Sequence, residues 1–270
     1  MKFDKFLLFA LVFLWLSGCA SRERFVPPAS EALEVAKPGV VVVIPDQREK
    51  TYVAVGLLRA LKEWKVPVRS IVSSGFGSFI AALYLTSKTF DEFEWKLSKV
   101  SNELFDSKGF SIKKILRDEK TARLKTLLAL VKDQPLQSLH PSLRVWTVLQ
   151  NSEGRVEITR GSLHNVLRAT LADDRTFPLS QWRGIVANRS LDASLLGEMR
   201  WNERFQYPVI GVLADGYTME QDSEVSLMIE APDTEATRSA VSFSGYEASL
   251  EEKEKILYLS GMTPGKEIQP

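Results

Sequence analysis

The hydrophobic pattern changes period several times along the chain, and each change predicts an element. After Pro38-Gly39 the run Val40-Val41-Val42-Val43-Ile44 is continuous and β-branched. That pattern predicts a strand buried on both faces, as in the centre of a parallel sheet. From Thr51 to Trp64 the apolar residues Val53, Leu57, Leu58, Leu61 and Trp64 recur at helical spacing, and Lys65-Val66-Pro67 ends the helix before a short strand, Val68 to Val72. Together these make a βαβ unit. The residues Ser73-Ser74-Gly75-Phe76-Gly77 read as a sharp glycine-rich turn leading into a helix that starts at Ser78 and carries Phe79 to Tyr84.

Residues 89–133 combine charge with helical apolar spacing, at Phe93, Leu97, Val100 and Leu104, then at Ile112, Ile115, Leu116, Leu124, Leu127, Leu128 and Val131. They predict two or three amphipathic helices that either cover a site or complete a layer. Strands return at Leu143–Leu149 and Arg155–Thr159 around the turn Asn151-Ser152-Glu153-Gly154, and a helix follows from Ser162 to about Ala172. Val225–Ile229 reads as a further strand, and Ser249-Leu250-Glu251-Glu252 has capping-box spacing for a last helix ending near Gly261. No internal repeat or low-complexity tract is present. The order of elements predicts an α/β fold.

The start of the chain follows a different logic. Met1-Lys2-Phe3-Asp4-Lys5 precedes an uncharged run from Phe6 to Leu16, which ends in Leu16-Ser17-Gly18-Cys19-Ala20-Ser21. A basic start, a short apolar stretch and small residues describe an export signal, too short to remain as a membrane-spanning helix. Leu16-Ser17-Gly18-Cys19 resembles the lipobox of bacterial lipoproteins, in which the cysteine thiol is acylated and becomes the new N-terminus. The expectation is a lipid anchor at Cys19. Each buried methylene contributes roughly 0.8 kcal/mol, and two acyl chains suffice for stable attachment. By resemblance to enterobacterial sorting, Ala20 after the cysteine points to the outer membrane. Residues 20–38 are polar and contain prolines, so they read as a tether; a coil of that length holds a domain about 25 Å from its anchor.

Composition narrows the picture. The 270 residues carry 35 Lys+Arg against 34 Asp+Glu, with 44% apolar residues and one cysteine. This balance excludes a polybasic nucleic-acid binder and a disordered chain. A lone cysteine excludes an internal disulfide or a cysteine-rich metal cluster, and if that cysteine is acylated it has no redox role. The expected organisation is a signal peptide over residues 1–18, a lipidated N-terminus and tether over 19–38, one folded domain over 39–262 and a tail over 263–270.

The string from Pro67 through Ser73-Ser74-Gly75-Phe76-Gly77 to Tyr84 resembles the nucleophile-elbow segment of patatin-like phospholipases, where a strand ends in Gly-x-Ser-x-Gly before a helix. Val55-Gly56-Leu57-Leu58-Arg59-Ala60-Leu61 is similar to the helix after that family's glycine-rich loop. Gly161 to Pro178 is similar to its helix-then-proline segment, and Leu191-Asp192-Ala193 lies where the family carries Asp-Gly-Gly or Asp-Gly-Ala. The order and spacing agree over roughly residues 38–250. The resemblance implies a three-layer α/β/α sandwich with a mainly parallel central sheet, and an ancestry of serine acyl hydrolases using a Ser–Asp dyad.

That chemistry needs a serine hydroxyl on a strained strand-to-helix turn, an aspartate to assist its deprotonation, and backbone N–H groups to hold the oxyanion. By the resemblance, Gly75 occupies the nucleophile position, so the attacking atom is missing. Ser73 replaces the first elbow glycine, and Gly77 is kept. The oxyanion-loop equivalent is Asp46-Gln47-Arg48-Glu49-Lys50, with Lys50 near the family's basic position, no glycine, and acidic Asp46 and Glu49 facing a developing negative charge. Of the dyad only Asp192 survives. Loss of the nucleophile costs on the order of 10⁶-fold and loss of one oxyanion donor about 10²–10³-fold, so the expectation is a domain that has lost hydrolase activity.

The serines keep an alternative open. Ser73 in a register shifted by two residues, or Ser74 beside the nucleophile position, could act with Asp192 in an acyl hydrolase; otherwise they satisfy backbone groups in a tight turn. His140 and His164 are the two histidines, and both read as surface or capping residues rather than triad members. Asp173-Asp174 before Arg175 reads as a solvated turn rather than a cation site. Trp64, Trp95, Trp146, Trp182 and Trp201 either line an acyl groove or sit in the core. No cofactor, metal or nucleic acid is expected. The expected partners are the membrane, through Cys19, and either a lipid or acyl ligand in the old pocket or an envelope protein.

Overall fold

The computed structural model describes residues 38–46, 51–104, 117–149, 155–172, 177–182, 185–188, 205–212, 227–229 and 249–262. All of them belong to one compact unit, Ala32–Pro270. The proposed signal peptide, Cys19 and nearly all of the tether lie outside the described residues, as do Gln47 to Lys50, Asp173-Asp174, Asp192 and Trp201.

The first βαβ unit is present as the hydrophobic pattern predicts. Strand β1 (Val40–Ile44) is buried along its whole length and lies between β2 (Val68–Ser74) and β7 (Val209–Val212), to both of which it runs parallel. A residue inside a sheet with both faces covered loses all its solvent-exposed apolar area, which is why this strand reads as unbroken Val and Ile. Helix α1 (Thr51–Glu63) connects β1 to β2 and buries Val53, Leu57, Leu58 and Leu61.

Among the described residues eight strands form one sheet, in the order β5 (Ser180–Trp182), β6 (Ile185–Asn188), β3 (Ser142–Leu149), β2, β1, β7 and β8 (Leu227–Ile229), with β4 (Arg155–Ile158) on β3 beside this path. Strands β1, β2, β3, β7 and β8 pair in parallel. Strands β4, β5 and β6 add antiparallel pairings at one side. The fold is mixed α/β, a mostly parallel central sheet with flanking helices, as expected.

One expectation is corrected. Residues 73–77 do not form a loop: β2 continues through Ser74 and helix α2 (Gly75–Thr86) begins at the next residue. Ser73 pairs in register with Ile44 on one side and Val145 on the other, and Ser74 pairs with Trp146. Short polar side chains here resemble turn residues, but ladder pairing and buried hydrogen bonds hold them in a strand.

The helices of the middle region are α3 (Phe90–Leu104) and α4 (Arg117–Leu130). Phe93, Leu97, Val100, Leu124, Leu127 and Leu128 all join the main core with Val40, Val42, Ile44 and Ile71 of the sheet. These two helices therefore complete the helical layer; Ile112, Ile115 and Leu116 lie outside the described residues. Edge-to-face rings of Tyr84, Phe90 and Phe93 join α2 to α3, and Arg59 of α1 ion-pairs with Glu94 of α3. The opposite sheet face presents Val41, Val43, Val72, Trp146 and Val209, against which Phe205 and Tyr207 pack. Helix α5 (Leu163–Leu171) lies within the expected span, with Ser162 as its N-cap, and α6 (Leu250–Leu259) has both bonds of the predicted capping box between Ser249 and Glu252. Among the described residues no helix is long and apolar enough to cross a membrane.

Candidate functional site: the elbow at Gly75

The strand-to-helix turn at the end of β2 is where the family chemistry would take place, and its geometry follows from two glycines. Gly75 has φ +48°, a left-handed conformation in which a side chain is strained. Gly77, the third residue of α2, has no room for a Cβ, which would run into the carbonyls of Ile44 and Pro45. The absence of a side chain there lets α2 press directly onto the end of β1.

Two side chains fix the turn. The Gly75 N–H donates to Thr170 Oγ1 at 2.8 Å, and that hydroxyl donates in turn to the Trp146 carbonyl at 3.1 Å. Thr170 thus ties the elbow to β3 through α5. The Phe76 N–H donates to Asp46 Oδ1 at 2.8 Å. The first N–H groups of a helix lack partners within the helix, and its N-terminus favours negative charge, so a carboxylate is a suitable cap. Ser74 stands at the N-cap position but makes no side-chain cap bond. Asp46, arriving from the end of β1, supplies that bond instead.

The same carboxylate occupies the space beside Gly75. A Cβ built on Gly75 would overlap the carboxyl carbon and both oxygens of Asp46. In α/β-hydrolase elbows the N–H of the residue after the nucleophile is one of the oxyanion donors. Here the residue after the nucleophile position is Phe76, and its N–H is already engaged by a negatively charged group. At this elbow residue 75 has no side chain, the Asp46 carboxyl group stands where a Cβ would be, and the Phe76 N–H is bonded to that carboxylate.

The candidate serines are buried. The Ser73 hydroxyl donates to Ser78 Oγ at 3.0 Å, with both residues fully buried. Ser74 is also fully buried, and its hydroxyl has no hydrogen-bond partner among the described residues. Asp46 is the described member of the proposed oxyanion-loop equivalent, and Asp192 lies outside the described residues.

His164, Ser162 and Asp133 lie together without forming a triad. The Ser162 hydroxyl donates to Asp133 at 2.9 Å and the His164 backbone N–H donates to the same carboxylate at 3.1 Å, while the His164 ring Nε2 meets the Val131 carbonyl at 2.8 Å. This is capping of α5. Loss of some hydration alone would raise the Asp133 pKa; hydrogen bonds from His164 and Ser162, with the charges of His164 and Arg168, hold it below the ordinary aspartate value. His140 is exposed. Trp146 is buried, Trp64 is half-buried and Trp95 is 58% exposed, so these three do not line one groove.

Sequence reasoning missed Thr170 and Asp133. Thr170 had one available signal, a hydroxyl on the otherwise apolar face of α5 formed by Leu163, Val166, Leu167 and Leu171. Asp133 had none, because its partners are about thirty residues away.

A family model described as patatin-like phospholipase matches residues 49–205, more than half of the chain, and takes in α1, the elbow, α2 to α5 and β2 to β6. No curated protein matches the chain. Among solved structures, the crystal structure of VipD from Legionella pneumophila aligns at 11% identity and a TM-score of 0.44, over 68% of this chain and 51% of that one. The chain thus spans about half the length of that structure. With a matched model that carries the elbow itself, the chain belongs to the patatin-like phospholipase family.

Proposed function

We propose that this protein is a bacterial lipoprotein, held in the envelope by an acylated Cys19 with the outer membrane as its destination, whose patatin-like domain binds rather than hydrolyses. The observation that carries the reading is the pairing of Gly75 with Asp46: the nucleophile position has no side chain, and a carboxylate fills the space where one would stand. A carboxylate bonded to the Phe76 N–H opposes a developing oxyanion beside it, and loss of an oxyanion donor by itself costs about 10²–10³-fold, although such a loss does not simply add to that of the serine. Ser73 and Ser74 support the same reading, since both hydroxyls are buried in the paired end of β2. The occupant is a lipid or acyl chain retained from the ancestral specificity, or an envelope protein.

The anchor is tested by fractionating cells that express the wild-type chain or Cys19→Ser. Wild type is expected in the membrane fraction with incorporated acyl label, and Cys19→Ser without label. Equal labelling of both would remove the lipoprotein reading. For the occupant, organic extraction of the purified protein followed by mass spectrometry distinguishes the cases: a stoichiometric lipid beyond the anchor supports the acyl ligand, and co-purification of one envelope protein without lipid supports the protein partner.

A further inference from the structure

We propose that the end of the domain from which the tether leaves is a bilayer-facing surface, with Trp95 seated in the headgroup region of an anionic leaflet and the elbow held at the far end, away from lipid. The inference rests on the proposed anchor at Cys19 and deepens it, because it says which face the anchored domain turns to the membrane.

The first support is placement. The Pro38 carbonyl accepts from the Arg69 guanidinium at 2.6 Å, and the Val40 N–H donates to the Pro67 carbonyl at 2.9 Å, so the tether root lies where β1 and β2 begin. Helix α1 runs back to that end, where Lys62 in its last turn stands 5.4 Å over the ring of Phe90, the first residue of α3. Trp95 is one and a half turns further on, roughly 7.5 Å along the helix axis, whereas the length of β2 puts the elbow about 23 Å from its start. The end of α4 lies there too: Asp133, just beyond it, accepts from Ser162 at the start of α5, and α5 runs from there towards the elbow, where Thr170 holds Gly75.

The second support is chemistry. Among the described residues Trp95 is the exposed aromatic, at 58%, and the Lys99 ammonium lies 3.6 Å over its ring, one turn along the same helix face. A tryptophan has an apolar body with a polar N–H and is favoured at membrane–water interfaces, and a lysine beside it adds attraction to anionic headgroups. On the same end Lys62, Lys65, Lys88 and Lys132 are exposed, against the exposed acids Glu63, Asp91 and Asp133; Glu92 and Glu94 are ion-paired with Lys96 and Arg59. The surface is therefore cationic around an apolar ring. A tether reaching about 25 Å keeps it within range of the bilayer.

The test couples the chain from Cys19 onward, the processed form that the anchor reading implies, through its cysteine thiol to a maleimide phospholipid in nanodiscs of phosphatidylethanolamine and phosphatidylglycerol. That chain keeps the whole compact unit Ala32–Pro270. With 15N-tryptophan in the protein, a gadolinium-bearing headgroup lipid broadens each indole signal according to its distance from the bilayer. Trp95 should broaden several-fold more than Trp146, which pairs with Ser74 at the elbow end of the sheet. Lys62→Glu combined with Lys99→Glu leaves Trp95 and the tether in place and should remove most of that difference, as should nanodiscs of phosphatidylcholine alone. The proposal is overturned if Trp95 and Trp146 broaden alike, or if Trp146 broadens more, which would turn the elbow to the lipid. It is also overturned if the difference persists unchanged in the charge-reversed chain and on phosphatidylcholine, which would leave the tether alone as its cause. Because the coupling is chemical, the result does not depend on acylation in cells. Absence of acyl label at Cys19 defeats the anchor reading separately, so the two failures are distinguishable.

Discussion

Thr170 Oγ1 lies 2.8 Å from the Gly75 nitrogen and 3.1 Å from the Trp146 oxygen, so a single hydroxyl accepts from the elbow and donates to β3. Thr170 is fully buried, and water cannot replace either bond without rearrangement. Thr170→Val keeps the shape but leaves the Gly75 N–H without this partner. A buried orphaned group costs about 1–3 kcal/mol, and Thr170→Val should lose at least that in urea unfolding. Thr170→Ser keeps the hydroxyl and should lose only about the 0.8 kcal/mol of one methyl group. Equal losses in the two variants would remove Thr170 from the account of the elbow.

Gly77 gives a second prediction. A Cβ at this position would run into the backbone carbonyls of Ile44 and Pro45, which cannot yield as a flexible side chain can. Gly77→Ala should therefore cost at the upper end of the about 1–3 kcal/mol typical of overpacking, despite the better helix propensity of alanine. A neutral or stabilising Gly77→Ala in thermal melting would mean that α2 does not press on β1 as described.

Asp133 makes stability depend on pH in a defined window. Its pKa is lowered in the folded state, so its contribution is complete above the unfolded value of about 3.9 and is lost as pH falls through the folded value. The stability difference between wild type and Asp133→Asn should be flat from neutral pH to about pH 5 and shrink in stronger acid. Because Asp133 is exposed, the difference should not exceed about 1 kcal/mol, the range of an ordinary cap. A difference that grows on acidification would contradict the assignment.

The fold was legible where structure is set locally. The β1 run of valines, the apolar face of α1 and the capping box at Ser249 each encode one element with its own neighbours, and all three stand as read. Strands β5, β6 and β7 were not read; with three or four residues each, they are too short for a period to emerge. The elbow shows the same divide. Gly75 at the nucleophile position could be seen in the sequence, whereas the strand character of Ser73 and Ser74 depends on pairing with β1 and β3. The acidic character of Asp46 was visible too. Its bond to Phe76, thirty residues on, is a property of the sheet that brings the ends of β1 and β2 side by side.

The central claim, that this patatin-like domain does not perform acyl transfer, is tested most directly by treating the purified chain with a fluorophosphonate probe and following covalent labelling by intact mass. The account predicts no labelling above that of the heat-denatured chain, and none after Gly75→Ser alone, because the Asp46 carboxylate still fills the elbow. Labelling of the wild-type chain that disappears in Ser73→Ala or Ser74→Ala would contradict it.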